Sequence, residues 1–180
     1  MSASSIELSY PWYSQVDSNE PLQQGDFILK CQIFQPAAEA YKNGQSIEAI
    51  AKEYDVIVMS QSCDLIYNKI DLVLVSPFYS LKKLGNIQSN YKNAEMKEHL
   101  RKGQIHGMHL LDKCNINGDT DYLVIDFKST FAVPLPFLKQ IISSVEYRIR
   151  LLPPYREHLS QAFARFFMRV GLPIDIPSFI

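Results

Sequence analysis

Glycine is scarce in this chain, with seven among 180 residues, and none of them falls in a GxGxxG or GxxxxGKS/T run. A phosphate-cradling loop needs those glycines so that backbone N–H groups can close on the phosphates. Dinucleotide chemistry and P-loop nucleotide hydrolysis are therefore not expected, and no cofactor is implied. Cysteine is equally sparse: Cys31, Cys63 and Cys114 are odd in number, widely spaced and never in CxxC. That pattern predicts reduced thiols in a cytoplasmic protein rather than a disulfide framework. No apolar stretch approaches the roughly 18 residues of a membrane helix. The opening "MSASSIELSYPWY" lacks the basic start and apolar run of a signal peptide. No membrane partner is expected.

What is present suits a packed domain. Apolar residues make up 47% and charged ones 21%, enough for a core without staples. No repeat or low-complexity tract is visible. The first 20 residues, Ser-rich with Tyr10, Trp12 and Tyr13, read as an N-terminal arm that packs on the body or on a partner. Residues 21–180 read as a single domain.

The net charge of −1 hides an asymmetry. Residues 1–60 carry eight acids against three lysines, whereas Arg148, Arg150, Arg156, Arg165 and Arg169 face only Glu157 within 148–169. Five of the six arginines fall in that stretch. Guanidinium clusters bind phosphate or carboxylate surfaces, and ion pairing to the acidic first third is the plainer alternative.

"LQQGDFILKCQIF" (22–34) reads as a Gly25-Asp26 turn leading into a strand. "DVIVMSQ" (55–61) and "DLVLVSPFYS" (71–80) are short, β-branched and apolar on both faces, as in a barrel or a buried sheet. Residues 36–54 fit helix or strand equally. "NAEMKEHLRKG" predicts an exposed helix ending at Gly103. "GMHLLDK" (107–113) is a strand followed by an "NINGD" hairpin turn, and "DYLVIDFKSTFAVPL" (121–135) holds one or two more. "EYRIRLLP" (146–153) alternates with Arg148 and Arg150 on one face.

A helix is predicted over 153–170. Leu159, Ala162, Phe163, Phe166, Phe167 and Val170 draw one apolar stripe, Pro153-Pro154 opens it, and Gly171 with Pro173 stops it. Burying its three phenylalanines would stabilise by about 1.5–3 kcal/mol each, leaving Gln161, Arg165 and Arg169 outside.

Several residues carry candidate chemistry. Ser60, Ser62, Cys63 and Asp64 end an apolar strand. They read as a turn whose side chains satisfy backbone groups, with Cys63 a small apolar plug. A nucleophilic Cys63 would need a histidine base, and His106, His109 and His158 are the options. His106, His109 and Cys114 contain metal-ligating types, but strand parity puts the two histidines on opposite faces and the spacing is that of no common zinc module. No metal site is expected. Asp119 and Asp121 read as turn chemistry. Tyr155, Arg156 and His158 sit at a helix start, where N–H groups favour anions, with Arg148 and Arg150 leading into it. An RNA phosphate or a partner's acidic segment would suit that spot.

The order "QGDFILKC", "DVIVMSQSCDL", "LVLVSPFYS", "DYLVIDFKSTFAVPL" and the 153–170 helix resembles the MazF/PemK-type toxin family over much of 22–170. The resemblance implies a mainly β (α+β) fold, an SH3-like barrel with an inserted polar helix and a C-terminal amphipathic helix packed on it. It also implies a metal-independent ribonuclease using an arginine before the second strand and a threonine or serine in the third. This chain departs from that pattern. The loop before "DVIVMS" holds Lys42 and Lys52 but no arginine, and Tyr79 occupies the threonine slot beside Ser80. A missing donor at a developing phosphoryl charge typically costs a few kcal/mol. The expectation is a non-catalytic binding module of a bacterial toxin–antitoxin or phage-defence system that acts through protein contacts, with a homodimer compatible. The alternative is an endoribonuclease in which Ser80, Arg148 or His158 substitutes.

Overall fold

The computed structural model describes residues 10–36, 49–116 and 118–168. In chain order these form β1 (Tyr13–Asp17), β2 (Phe27–Pro36), β3 (Ala49–Val58), α1 (Ser62–Ile66), β4 (Leu72–Ser80), α2 (Leu81–Ile87), α3 (Ala94–Arg101), β5 (Met108–Ile116), β6 (Asp119–Asp126), β7 (Phe131–Pro134), α4 (Leu135–Ser143), β8 (Tyr147–Leu151) and α5 (Tyr155–Phe167). The class is α+β with antiparallel pairing throughout. Among the described residues no helix is long and apolar enough to cross a membrane.

A six-stranded sheet runs β2-β3-β4-β6-β5 with β7 also on β4, and β1 pairs β8 in a two-stranded one. An isolated bridge between Asp26 and Arg150 joins the two. β4 is shared along its length: Leu72–Val75 pair with β7, and Phe78–Ser80 pair with β6. A 3₁₀ turn at Phe127–Ser129 carries the chain from one partner to the other. Asp126 fixes it by accepting from the Lys128 N–H at 2.9 Å and from Ser129 Oγ at 3.0 Å.

Where β3 and β4 cross the middle of the sheet, at Val56–Val58 and Val75–Phe78, they are buried on both faces. Val56, Val58, Val73 and Val75 face a cluster closed by Leu65 of α1 and by Leu138 and Ile142 of α4. Ile57, Met59 and Phe78 face the opposite cluster with Leu111, Leu123, Ile125, Phe127 and Leu159. Side-chain alternation along a strand produces this division. A third, smaller cluster (Leu84, Tyr91, Leu100, Met108, Val124) seats α2 and α3 on β5 and β6.

No ladder among the described residues joins β1 or β8 to β5. Across that gap the Tyr13 hydroxyl donates to the Asp112 carbonyl at 2.6 Å.

Particular elements differ from the sequence reading. Part of the supposed arm is β1, while residues 1–9 lie outside the described residues. Residues 49–54 extend β3, and 37–48 are not described. The "SQSCDL" segment is a one-turn helix begun at Gln61 rather than a turn alone. Residues 121–135 hold two strands, and "LPFLKQIIS" forms the unexpected α4. The polar helix is present as α3, where Asn93 caps by accepting from the Glu95 N–H at 2.9 Å. In α5 only Leu159 is fully buried. Phe163 and Phe166 are half-buried and Phe167 is 65% exposed, so two phenylalanines pack rather than three. Val170, Gly171 and Pro173 lie outside the described residues.

Candidate functional site

Arg148 and Arg150 share one face of β8, as their parity requires, but that face is interior. Gly25 turns the chain at φ +86°, and the Asp26 carboxylate behind it is fully buried. Arg148 donates from Nε to Asp26 Oδ2 at 2.8 Å, and Arg150 from Nε to Oδ1 at 2.5 Å and from Nη2 to Oδ2 at 3.0 Å. The Gln23 N–H adds a bond to Oδ2 at 3.0 Å. The remaining contacts go to main-chain carbonyls: Arg148 reaches Asp17, Glu20 and Pro21, and Arg150 reaches Pro21. Two guanidiniums with 3% and 8% side-chain exposure cannot meet a phosphate outside. The expectation that they form an open anion-binding face is corrected. They organise the Asp17–Asp26 segment.

The other members of the arginine region are dispersed. Tyr155 stacks on Trp12 with ring centroids 3.5 Å apart and an 8° tilt. Arg156 donates to Glu157 Oε1 at 2.9 Å. Arg165 is exposed on α5, and Arg169 lies outside the described residues. Of the catalytic candidates, Ser80 caps α2 by accepting from the Lys83 N–H at 3.1 Å. His158 is exposed, edge-on to Tyr155 at 6.1 Å. No hydrogen bond joins any two of Ser80, Arg148 and His158.

At the strand end, Ser60 Oγ accepts from the Leu74 N–H at 2.9 Å and Ser62 Oγ from the Gln24 N–H at 3.1 Å. Gln24 Nε2 in turn donates to the Met59 carbonyl at 2.7 Å. These bonds tie the end of β3 to β4 and to the Gly25 turn. Cys63 is exposed rather than an apolar plug, and its sulfur sits 3.7 Å from Asp64 Oδ1, with no imidazole bonded to it. Asp121 accepts from the Lys82 N–H at 2.8 Å, and Asp119 pairs with Lys82 Nζ at 3.0 Å, at the start of β6.

His106, His109 and Cys114 make no common site. Cys114 is buried, which pushes its thiol up to about 11. Among the described residues no group of three or more potential ligands is placed to hold a metal ion.

Two surfaces remain that the sequence reading did not find. In the first, β4 and β7 pair with Leu72 opposite Pro134 and Leu74 opposite Ala132. Their inward neighbours Val73, Val75 and Val133 are buried. The outward face is an apolar strip, with Leu72 56% and Leu74 41% exposed. β7 has no strand on its other side among the described residues. The only sequence signal was apolar character at every position, which reads as burial on both faces.

The second is a cavity of about 390 Å³ between the start of β5 and α5, lined by His106, His109, Arg165 and Phe166 among others. The His109 ring stacks over Phe127 at 6.2 Å, and the His106 ring lies 5.0 Å from Phe166. Burial, then the charges of Arg165 and His158, lowers His109 to about 4, so its imidazole is neutral at pH 7. No sequence pattern links residues 106–109 to 165; only the packing of α5 on β5 does.

No protein-family model matches the chain, and no curated protein or solved structure matches it either.

Proposed function

We propose that the chain is a non-catalytic binding module that holds a protein partner on the β4–β7 strip. The observation that carries this reading is the exposed pairing of Leu72 with Pro134 and Leu74 with Ala132, beside a β7 edge that no strand covers among the described residues. Contiguous exposed apolar surface favours association. A free edge adds main-chain donors and acceptors for an extended partner segment. The partner this surface suits is a strand with alternate apolar side chains, and a second copy of the chain is the homodimeric version.

Against catalysis stand the tasks already assigned to the candidates: Arg148 holds Asp26 and Ser80 caps a helix. The reading of an SH3-like barrel of MazF/PemK type, in a bacterial toxin–antitoxin or phage-defence system, rests on the motif resemblance. What supports it further is the antiparallel pairing and the Tyr13–Asp112 bond between β1 and β5, while no ladder closes the sheet among the described residues. The three free thiols agree with a cytoplasmic setting.

The test compares the wild type with Leu72→Lys/Leu74→Lys, both expressed in the native host. The wild type should carry a stoichiometric partner or dimerise, and the variant should lose it while keeping its melting temperature. In parallel, the purified protein is incubated with a long mixed-sequence RNA in EDTA. Reproducible cuts, or a complex indifferent to both lysines, would overturn the reading.

A further inference from the structure

The cavity between β5 and α5 has a composition that nothing so far explains. Its charged lining is all of one sign: Arg101, Lys102 and Arg165 border it beside two imidazoles, and no carboxylate lines it among the described residues. Glu98 answers two of these cations, 2.7 Å from Arg101 and 3.4 Å from Lys102. Asp126, the carboxylate next to Phe127, is taken up by Lys128 N–H and Ser129. Arg165 has no ion pair among the described residues.

The uncharged half is equally specific. Phe127, 3% exposed, and the half-buried Phe166 form the apolar side, with the His109 ring stacked on the first and the His106 ring 5.0 Å from the second. Gly107 (φ +77°) lets the wall close, since a Cβ there would come within 2.8 Å of Lys128 and 3.0 Å of Phe166. Neither nitrogen of His109 is hydrogen-bonded within the described residues, and no buried side-chain polar atom among them lacks a partner. Neither ring nitrogen is sealed off unpartnered in the interior, and His109 is among the residues that line the cavity. A neutral imidazole presents one N–H donor and one acceptor. Arg165 supplies the planar donor fork that matches a phosphate.

We propose that this cavity binds a small phosphomonoester carried on a planar ring, of about mononucleotide size, with Arg165 and His109 on the phosphate and Phe166 against the ring. The volume lies in the ordinary range of ligand pockets, roughly 300–1,000 Å³. The site is separate from the β4–β7 strip, so either one can fail without the other.

Calorimetric titration with AMP at pH 7 and low salt tests it, with adenosine and inorganic phosphate as separate probes. AMP should bind at one equivalent, with adenosine and phosphate each weaker by at least about tenfold. Arg165→Ala should weaken AMP by at least about tenfold without changing the melting temperature, since that side chain is exposed. His109→Phe, which keeps the stack and removes the nitrogens, should weaken it several-fold. Imidazole NMR should show the His109 pKa rising when AMP is bound, a response that a purely structural histidine would not give. Failure of AMP to saturate, adenosine binding as well as AMP, or affinity unmoved by Arg165→Ala would overturn the proposal. So would tight binding of long RNA with no affinity for AMP, because the surface would then belong to a polymer.

Discussion

The hydroxyl of Tyr13 donates to the backbone carbonyl of Asp112 at 2.6 Å, across 99 residues of sequence. It links β1 to β5, two strands that no ladder joins. Burial, followed by the nearby Cys114 and Asp112, drives the phenol pKa far upward, so the group stays a donor. Tyr13→Phe keeps the ring against Phe27 (6.0 Å between centroids) and removes only the bond. The expected loss is about 1–2 kcal/mol, read as a lower urea midpoint with an unchanged m-value. An unmoved midpoint would mean that water replaces the phenol without cost.

Among the described residues Asp26 is the one carboxylate that pairs with Arg148 and Arg150. Asp26→Ala leaves two buried guanidiniums without a counter-charge and should cost about 3–5 kcal/mol. Loss of near-UV circular dichroism, or a much lower melting temperature, is the expected readout. A near-native melt would show that the carbonyls of Asp17, Glu20 and Pro21 suffice to hold the arginines.

His109 makes stability depend on pH. Its folded pKa of about 4 lies below the ordinary 6.5, so between those values the unfolded chain binds the proton that the folded one refuses. Stability is then complete above about pH 6.5 and falls as pH drops towards 4, by up to about 3 kcal/mol in total. His109→Gln should flatten the urea midpoint over this window. A wild-type profile already flat from pH 4 to 6.5 would contradict the burial of the neutral ring.

The thiols should separate into two classes. Cys63 is exposed, whereas Cys31 and Cys114 are buried and each is pushed up to about 11 by desolvation. An aromatic disulfide reagent at pH 8 should titrate one thiol quickly in the folded protein and three after unfolding. Fast reaction of a second thiol would mean that a core cluster opens readily.

Local chemistry made much of the fold legible. β4, α3 and the stripe of α5 follow from a short β-branched apolar run, a polar segment ending at Gly103, and helical spacing. The helix at Leu135–Ser143 escaped because Pro134 and Pro136 read as the end of a strand. Yet proline is welcome in the first helical turn, and Leu135, Leu138 and Ile142 supply a buried stripe. α1 is five residues long, too short for periodicity to declare itself. The site was less legible than the fold. Parity put Arg148 and Arg150 on one face, but whether that face met solvent or Asp26 depended on a contact 122 residues distant. His109 and Arg165 were each visible and each assigned elsewhere, because a 3.6-residue or two-residue period carries no information about which strand a helix will cover.

The Asp26–Arg148–Arg150 cluster also sets an order of events during synthesis. Asp26 leaves the ribosome long before its partners, which follow 122 and 124 residues later. Until β8 emerges, the Gly25 turn carries a charged group that the finished interior admits only in company. The nascent chain therefore keeps that corner hydrated and unsealed while the central strands collapse. Completion waits for β8, so a chain truncated before it should fail as a whole rather than lose one strand.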